Sequence, residues 1–331
     1  MAGKLKVPHH VTARLDWKAS QLFDDRAARK IGNPDVVISW AWSALKTLTA
    51  ARKRGIVTVL EECGSANAYQ DKILKQEYET LGLSGYTGTL AEIIENEKKE
   101  CATADIILCP SDYVAESFQI YGISRSRCTV IPYATNPIFK ASRPKNPQTK
   151  LRILYVGSVG VRKGIIYLLK ALDLLPEYSY ECTVIGHVEP LFEKIFEPYR
   201  SKVNHIPSVP HSKLPEYFEE SSVFVLPTLD EGMAYVTMEA LASANPVITT
   251  YNSGATNKII HNENGMIVPL RDPDAIAHSL IRLLENPELY QAMSEAAMKA
   301  ATSWSWDDYI STLIQSFSTN GIHSINSTSR E

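Results

Sequence analysis

The chain has 331 residues, 44% hydrophobic and 21% charged, with a formal net charge of −3. At roughly 100–200 residues per domain this length predicts two domains, and the composition is that of a globular chain and excludes extensive disorder. No stretch approaches the roughly 18–20 apolar residues of a membrane span, the first twenty residues carry Lys4, Lys6, Arg14 and Lys18 without an apolar signal core, and Cys63, Cys101, Cys109, Cys128 and Cys182 form no C-x-x-C pair.

These exclusions predict a cytoplasmic protein with free, mostly buried thiols, no disulfide framework and no structural zinc. Residues 1–60 hold 11 Lys or Arg against four Asp, a local charge of +7, so the remainder sums to −10. The basic front end suggests an anionic partner, either lipid headgroups or a charged substrate, against the plainer reading of a solvated helix face. Nucleic acid is not expected, because no binding motif or interleaved aromatic pattern accompanies the charge.

In chain order, His9 and His10 fall in a segment expected to be a mobile terminus. Short β-branched runs at 35–40 (DVVISW), 56–60 (IVTVL), 105–108 (DIIL) and 129–131 (TVI) then alternate with helical patterns at 42–53 and 90–103. Residues 140–150 (KASRPKNPQTK) are polar, contain two prolines, lack periodicity and read as a linker. Beyond it strands are expected at 151–157, 180–186, 203–206, 223–227, 246–250 and 266–269, with helices near 164–175 and 213–220. Strands alternating with helices predict parallel sheets covered on both faces, with ligands at the carboxyl ends of the strands.

Two turns at such ends carry chemistry. The first is Gly157-Ser158-Val159-Gly160-Val161-Arg162-Lys163-Gly164, between a strand and a helix. It lacks the G-K-[ST] of a nucleotide-triphosphatase loop and does not fit G-x-G-x-x-G, which leaves two adjacent cations at a helix start, an arrangement suited to a diphosphate. The second runs from Asp230 to Thr250, with Glu231 and Glu239 eight residues apart and Gly232 and Ala234 after the first. A helix starting near 233 would offer free backbone N–H groups, and a carboxylate one or two turns into it can accept from two vicinal hydroxyls, as on a ribose. The histidines show no ligand spacing, and no G-x-S-x-G elbow supports a hydrolase triad.

The stretch EGMAYVTMEALASANPVITT, preceded by VGSVGVRKG and followed by SGATNKIIHNENGMIVPLRDPDAIAHSL, resembles the retaining glycosyltransferases of family 4, also called group 1, which have the GT-B architecture. The resemblance covers nearly all of residues 102–310, including ADIILCPSDYVAESF and CTVIPYATNPIF. It implies an α/β fold of two Rossmann-like domains facing a cleft. The N-terminal, acceptor-side domain would span 1–145 and the nucleotide-sugar domain 146–304, with a helix and tail over 305–331 crossing back to the first. The N-terminal domain is expected to be shortened, because MAGKLKVPHHVTARLDWKASQLFDDRAARKI reads as a helix from deeper inside such a domain, the first βα unit being missing.

What the resemblance implies for function is transfer of a sugar from a nucleotide-diphosphate donor to a glycan or glycolipid acceptor, as in polysaccharide biosynthesis. Arg162 and Lys163 match the pair that grips the diphosphate, Glu231 the glutamate beside the transferred sugar, and Glu239 the one that bonds the ribose. Gly157 and Ser158 lie on the phosphate turn, and the backbone of Gly232, Met233 and Ala234 lines the sugar and phosphate. Such enzymes generally need no metal or cofactor. The one D-x-D here, Asp272-Pro273-Asp274, fits a helix cap better than a metal clamp.

The sequence departs from the family at Ser158, where an Arg is usual, at Asn257, where an acidic residue is common, and at Asn67, expected in place of a histidine close to the sugar. These departures and the short front end leave a second reading, a catalytically impaired nucleotide-sugar-binding protein. A third, a glycan phosphorylase of the same architecture, lacks a visible pyridoxal-phosphate lysine context. Peripheral contact with an anionic membrane at its inner face is a secondary expectation from the basic front end.

Overall fold

The computed structural model describes residues 9–146, 149–176 and 178–319. The N-terminal half runs α1 (His9–Ala28), β1 (Val36–Trp40), α2 (Leu45–Arg52), β2 (Val57–Glu61), α3 (Asn67–Thr80), α4 (Ala91–Thr103), β3 (Ile106–Cys109), α5 (Asp112–Ser117) and β4 (Cys128–Val130). The C-terminal half runs β5 (Leu151–Val156), α6 (Ile165–Leu172), β6 (Tyr180–Ile185), α7 (Glu193–Phe196), β7 (Asn204–Ile206), α8 (Leu214–Glu220), β8 (Val223–Leu226), α9 (Tyr235–Ala242), β9 (Val247–Thr250) and β10 (Gly265–Val268). Three helices close it: α10 (Pro273–Glu285), α11 (Pro287–Thr302) and α12 (Trp306–Thr319).

All the paired strands are parallel. Four form one sheet in simple order β1-β2-β3-β4, and six form a second in the order β10-β9-β8-β5-β6-β7. The second sheet reverses direction at β5, which lies between β8 and β6, so its crevice opens above the carboxyl ends of β5 and β8. The first sheet has no such reversal. Parallel strands must be covered twice, and β3 shows it: Ile106 and Leu108 join one buried cluster, Ile107 and Cys109 the other. The first cluster is continuous from β5–β10 to Val59, Ile131 and Tyr133 of the N-terminal half.

Three sequence expectations shift here. Residues 9 and 10, expected in a mobile terminus, already begin α1. The helix expected from residue 42 starts at Leu45, because Trp42 adopts a positive φ of 73° and the backbone N–H groups of Trp42 and Ala44 donate to the Glu100 carboxylate at 2.8 Å. Asp24 of α1 takes those of Lys46 and Thr47 at 2.7 and 2.9 Å, so two buried carboxylates from other helices cap α2. The helix expected near 233 starts at Tyr235, since the Glu231 and Ala234 N–H groups donate to Asn252 and Ser253 at 2.9 and 3.0 Å and hold 231–234 out of helix.

The linker is tied down rather than loose in its described part. Ala141 N–H donates to Ala242 O at 2.8 Å and Lys145 N–H to Ser294 Oγ at 2.8 Å, while Lys145 Nζ donates to Phe218 O, Ser221 O and, at 2.9 Å, Asn245 Oδ1. At the other end, Trp304 Nε1 donates to Pro132 O at 2.9 Å and Trp306 and Tyr309 pack on Tyr133, which lays α12 against the N-terminal half.

A buried ion pair joins the halves. Glu77 of α3 is fully buried and accepts from Arg271 Nε at 2.5 Å and from the Tyr167 hydroxyl of α6. Removing one partner of a buried pair costs about 3–5 kcal/mol, and the quarter-exposed Arg271 belongs at the lower end of that range. Arg271→Ala is therefore expected to lower stability by about 3 kcal/mol in denaturant titration, with much of the loss recovered in Arg271→Met/Glu77→Met; an unchanged midpoint in the single variant would rule this contribution out.

Candidate active site

Gly164 explains how the two predicted turns meet. Its φ is +62°, and a Cβ there would sit 2.0 Å from Pro227 O, so only glycine lets the turn after β5 press against the turn after β8. The two are then stitched together: Arg162 O accepts from Leu229 N–H at 2.9 Å and from Thr228 Oγ1 at 3.1 Å. Arg162 Nη1 donates to Asp230 O at 3.1 Å and pairs with Glu231, and Lys163 Nζ lies 2.5 Å from Glu231 Oε1. Arg162, Lys163 and Glu231 thus converge at the switch point of the second sheet. Burial pushes the Lys163 ammonium below its usual range, with the Glu231 carboxylate acting in the opposite direction.

Gly157 and Ser158 lie on the same turn, and Ser158 O accepts from the Tyr155 hydroxyl at 2.7 Å. Of the 232–234 backbone, Ala234 N–H is occupied by Ser253, whereas those of Gly232 and Met233 have no hydrogen-bond acceptor among the described residues. The Met233 sulfur accepts from Tyr133 N–H at 3.2 Å.

Glu239 stands apart from the Glu231 cluster. It is 4% exposed on α9; its Oε1 lies 2.8 Å from His211 Nε2, and its Oε2 is buried with no hydrogen-bond partner. Burial raises the Glu239 carboxyl above its ordinary value and His211 opposes the rise. A buried acceptor left unmade is costly, and Oε2 is free to accept from a hydroxyl. His211 is the site residue that sequence reasoning missed. It precedes Glu239 by 28 positions on a different element, and no spacing signals the pair.

Asn67 is placed differently from the expectation of a sugar contact. It is 7% exposed, and its backbone N–H and amide donate to Glu97 at 3.0 and 2.8 Å, so the side chain is committed to the interior of the N-terminal half. The polar side chain at the end of β2 is Glu61, whose carboxyl is raised by burial and hydrogen-bonded by Tyr309 of α12. Asp272 caps α10 through Ala275 N–H at 2.8 Å, with Pro273 in the first turn, so this carboxylate serves the helix. Asn257 pairs reciprocally with Asp112 of the N-terminal half, accepting from Asp112 N–H at 3.0 Å and donating to its Oδ2 at 2.6 Å. An acidic residue at 257 would meet Asp112 with like charge, which accounts for the amide here. Among the five cysteines Cys63 is exposed and the other four are buried, and no described helix is long and apolar enough to cross a membrane.

Comparison with known proteins agrees with this fold. Residues 138–300 match the family model of glycosyl transferases group 1. A glycosyltransferase of Haemophilus influenzae is 31% identical over 162 residues, 46% of this chain and 45% of its own length. The Escherichia coli protein WcaL, a putative colanic acid biosynthesis glycosyltransferase, is 28% identical over 210 residues, 59% of this chain and 52% of its own. The matches thus span about half the length of these relatives. Among solved structures, sucrose-phosphate synthase from Thermosynechococcus elongatus superposes with a TM-score of 0.71 at 19% identity, covering 96% of this chain and 82% of its own. Anabaena HepE in complex with UDP and glucose gives 0.67 at 13% identity, covering 89% and 81%. Residues 138–300 are therefore similar to the group 1 glycosyl transferases, within a chain of two Rossmann-like units that has the GT-B fold.

Proposed function

We propose that this protein is a retaining glycosyltransferase of family 4 that moves a sugar from a nucleoside-diphosphate donor to a glycan or glycolipid acceptor without a metal. The observation that carries the reading is the convergence of Arg162 and Lys163 on Glu231 at the switch point. Two cations share the Glu231 carboxylate, so a diphosphate that takes its place meets two charge-assisted donors. With the donor bound, Arg162 and Lys163 turn to the phosphates and stabilise the charge that grows as the glycosidic bond breaks, while Glu231 is released toward the sugar. Glu239 Oε2 accepts from the ribose. Retention means attack on the face the diphosphate leaves, so a donor phosphate oxygen takes the acceptor proton and no protein base is required. The names of the relatives and the UDP-bound neighbours support a nucleotide-sugar donor.

The test is release of nucleoside diphosphate from UDP-, GDP- and ADP-sugars with a pool of glycan and glycolipid acceptors, after a thermal-shift screen to find the donor. Turnover in excess EDTA is expected to equal that in magnesium; loss of turnover with EDTA would remove the metal-free mechanism. A second reading, donor binding without transfer, is favoured by one observation: Asn67, expected close to the sugar, is committed to Glu97 inside the N-terminal half. Stabilisation by a donor with no diphosphate release from any acceptor would select it.

The same reading places the protein at an anionic membrane surface. Helix α1 exposes Leu15, Leu22 and Phe23 among Arg14, Lys18 and Arg26, an apolar and basic face suited to an interfacial helix. The protein is expected to float with anionic liposomes at low salt, and Lys18→Glu/Arg26→Glu to abolish this; a wild-type protein left wholly in the pellet fraction would refute membrane contact.

A further inference from the structure

Asp230 is 1% exposed, and every side-chain donor that reaches its carboxylate comes from the N-terminal half: the Tyr113 hydroxyl at 2.6 Å, Gln70 Nε2 at 2.5 Å and Ser65 Oγ. No cation pairs with it among the described residues. Its main chain serves the other side of the molecule. The Asp230 carbonyl accepts from Arg162 Nη1 at 3.1 Å and Thr228 Oγ1 at 3.4 Å, and the next N–H, of Glu231, donates to Asn252 O at 2.9 Å.

One residue therefore bonds the N-terminal half through its side chain and the Arg162–Glu231 cluster through its backbone. A buried carboxylate satisfied only by neutral donors is tolerable when all of them are in place and costly when some are lost, so the arrangement has two states rather than a continuum. With the halves docked, the carboxylate is fully bonded and its peptide is fixed. With them apart, water solvates it and the turn carrying Glu231 keeps only its contacts within the C-terminal half, to Arg162, Asn252 and Ser253.

We propose that Asp230 is a positioning residue that couples docking of the N-terminal half to the seating of Arg162 and Glu231. Its consequence for turnover rests on the function proposed above, whereas the coupling itself does not. Tyr113 completes the device: burial and the Asp230 charge both hold its hydroxyl protonated, which keeps it a donor.

The test is hydrogen–deuterium exchange on the whole chain, comparing wild type with Asp230→Ala, Asp230→Asn and Tyr113→Phe. Asp230→Ala is expected to accelerate exchange about tenfold at 63–70 and 111–117, and equally at 160–165 and 228–235, with the rest of both sheets unchanged. Asp230→Asn, which keeps an acceptor oxygen, is expected to recover part of the protection. Asp230→Ala/Tyr113→Phe is expected to be no faster than Asp230→Ala alone, the non-additivity of a shared contact. On turnover the split should fall on kcat, down about tenfold, with donor KM within about twofold. Faster exchange confined to 63–70 and 111–117 would overturn the coupling, as would faster exchange spread through the whole chain, the mark of a general structural role. If wild type releases no nucleoside diphosphate, the proposed reaction falls while the exchange pattern still decides the coupling.

Discussion

Lys163→Ala is expected to lower nucleoside-diphosphate release at least tenfold, and Glu239→Ala to weaken donor binding by a similar factor. The magnitude follows from the contacts. A charge-assisted hydrogen bond contributes about 1.5–3 kcal/mol, and about 1.4 kcal/mol is a factor of ten. Lys163 is the better buried of the two cations, with 14% of its side chain exposed against 37% for Arg162, so its interaction with a phosphate is the less screened by water. Because that phosphate is the leaving group, the loss should appear in kcat as well as in KM. Glu239 differs in kind. Its unpartnered Oε2 waits for a hydroxyl, so truncation removes ground-state binding and should raise KM with little change in kcat. Isothermal titration with the donor and steady-state release assays separate the two patterns. Unchanged binding and turnover in both variants would remove this site assignment.

The contrast between these residues and the rest of the cleft shows what a linear sequence can carry. Strands β1–β10 were legible because a parallel sheet buries both faces and leaves a run of β-branched residues between turns, and the GSVGVRKG turn was legible because glycines and paired cations sit within eight positions of one another. The start of α2 was not legible, since its caps are Asp24 and Glu100, carboxylates 22 and 56 positions from the N–H groups they accept. The surroundings of Asn67 were not legible for the same reason: its partner Glu97 lies on α4, 30 positions away. His211 gains its meaning only against Glu239 of α9, and Asp230 only when the N-terminal half is brought to the end of β8. Asn257, a departure from the family pattern in the linear reading, becomes intelligible once Asp112 is seen opposite it. Local chemistry is written in neighbouring residues, and pairings between distant elements are not.

Gly232→Ala is expected to separate docking of the halves from folding of either one. A Cβ at this position would lie 1.7 Å from Cys63 O, 2.7 Å from Cys63 C and 3.1 Å from Gly64 Cα, all backbone atoms, so no side-chain rotation relieves the clash. Within its own half the substitution is mild, because Gly232 is not among the residues with positive φ. Gly164→Ala is the opposite case: positive φ and a 2.0 Å approach to Pro227 O strain the C-terminal unit itself, and about 2–4 kcal/mol of stability should go with it. For Gly232→Ala, small-angle scattering should report a larger radius of gyration while far-ultraviolet dichroism stays that of wild type. Diphosphate release should fall at least tenfold, since Asp230 and Ser111 lose the partners that tie the Glu231 turn to the N-terminal half. Cys63, already exposed, should react faster with a thiol reagent once Gly232 no longer lies against its carbonyl. A variant with wild-type dimensions and turnover would show that the contact between Gly232 and Cys63 is not the one that closes the cleft.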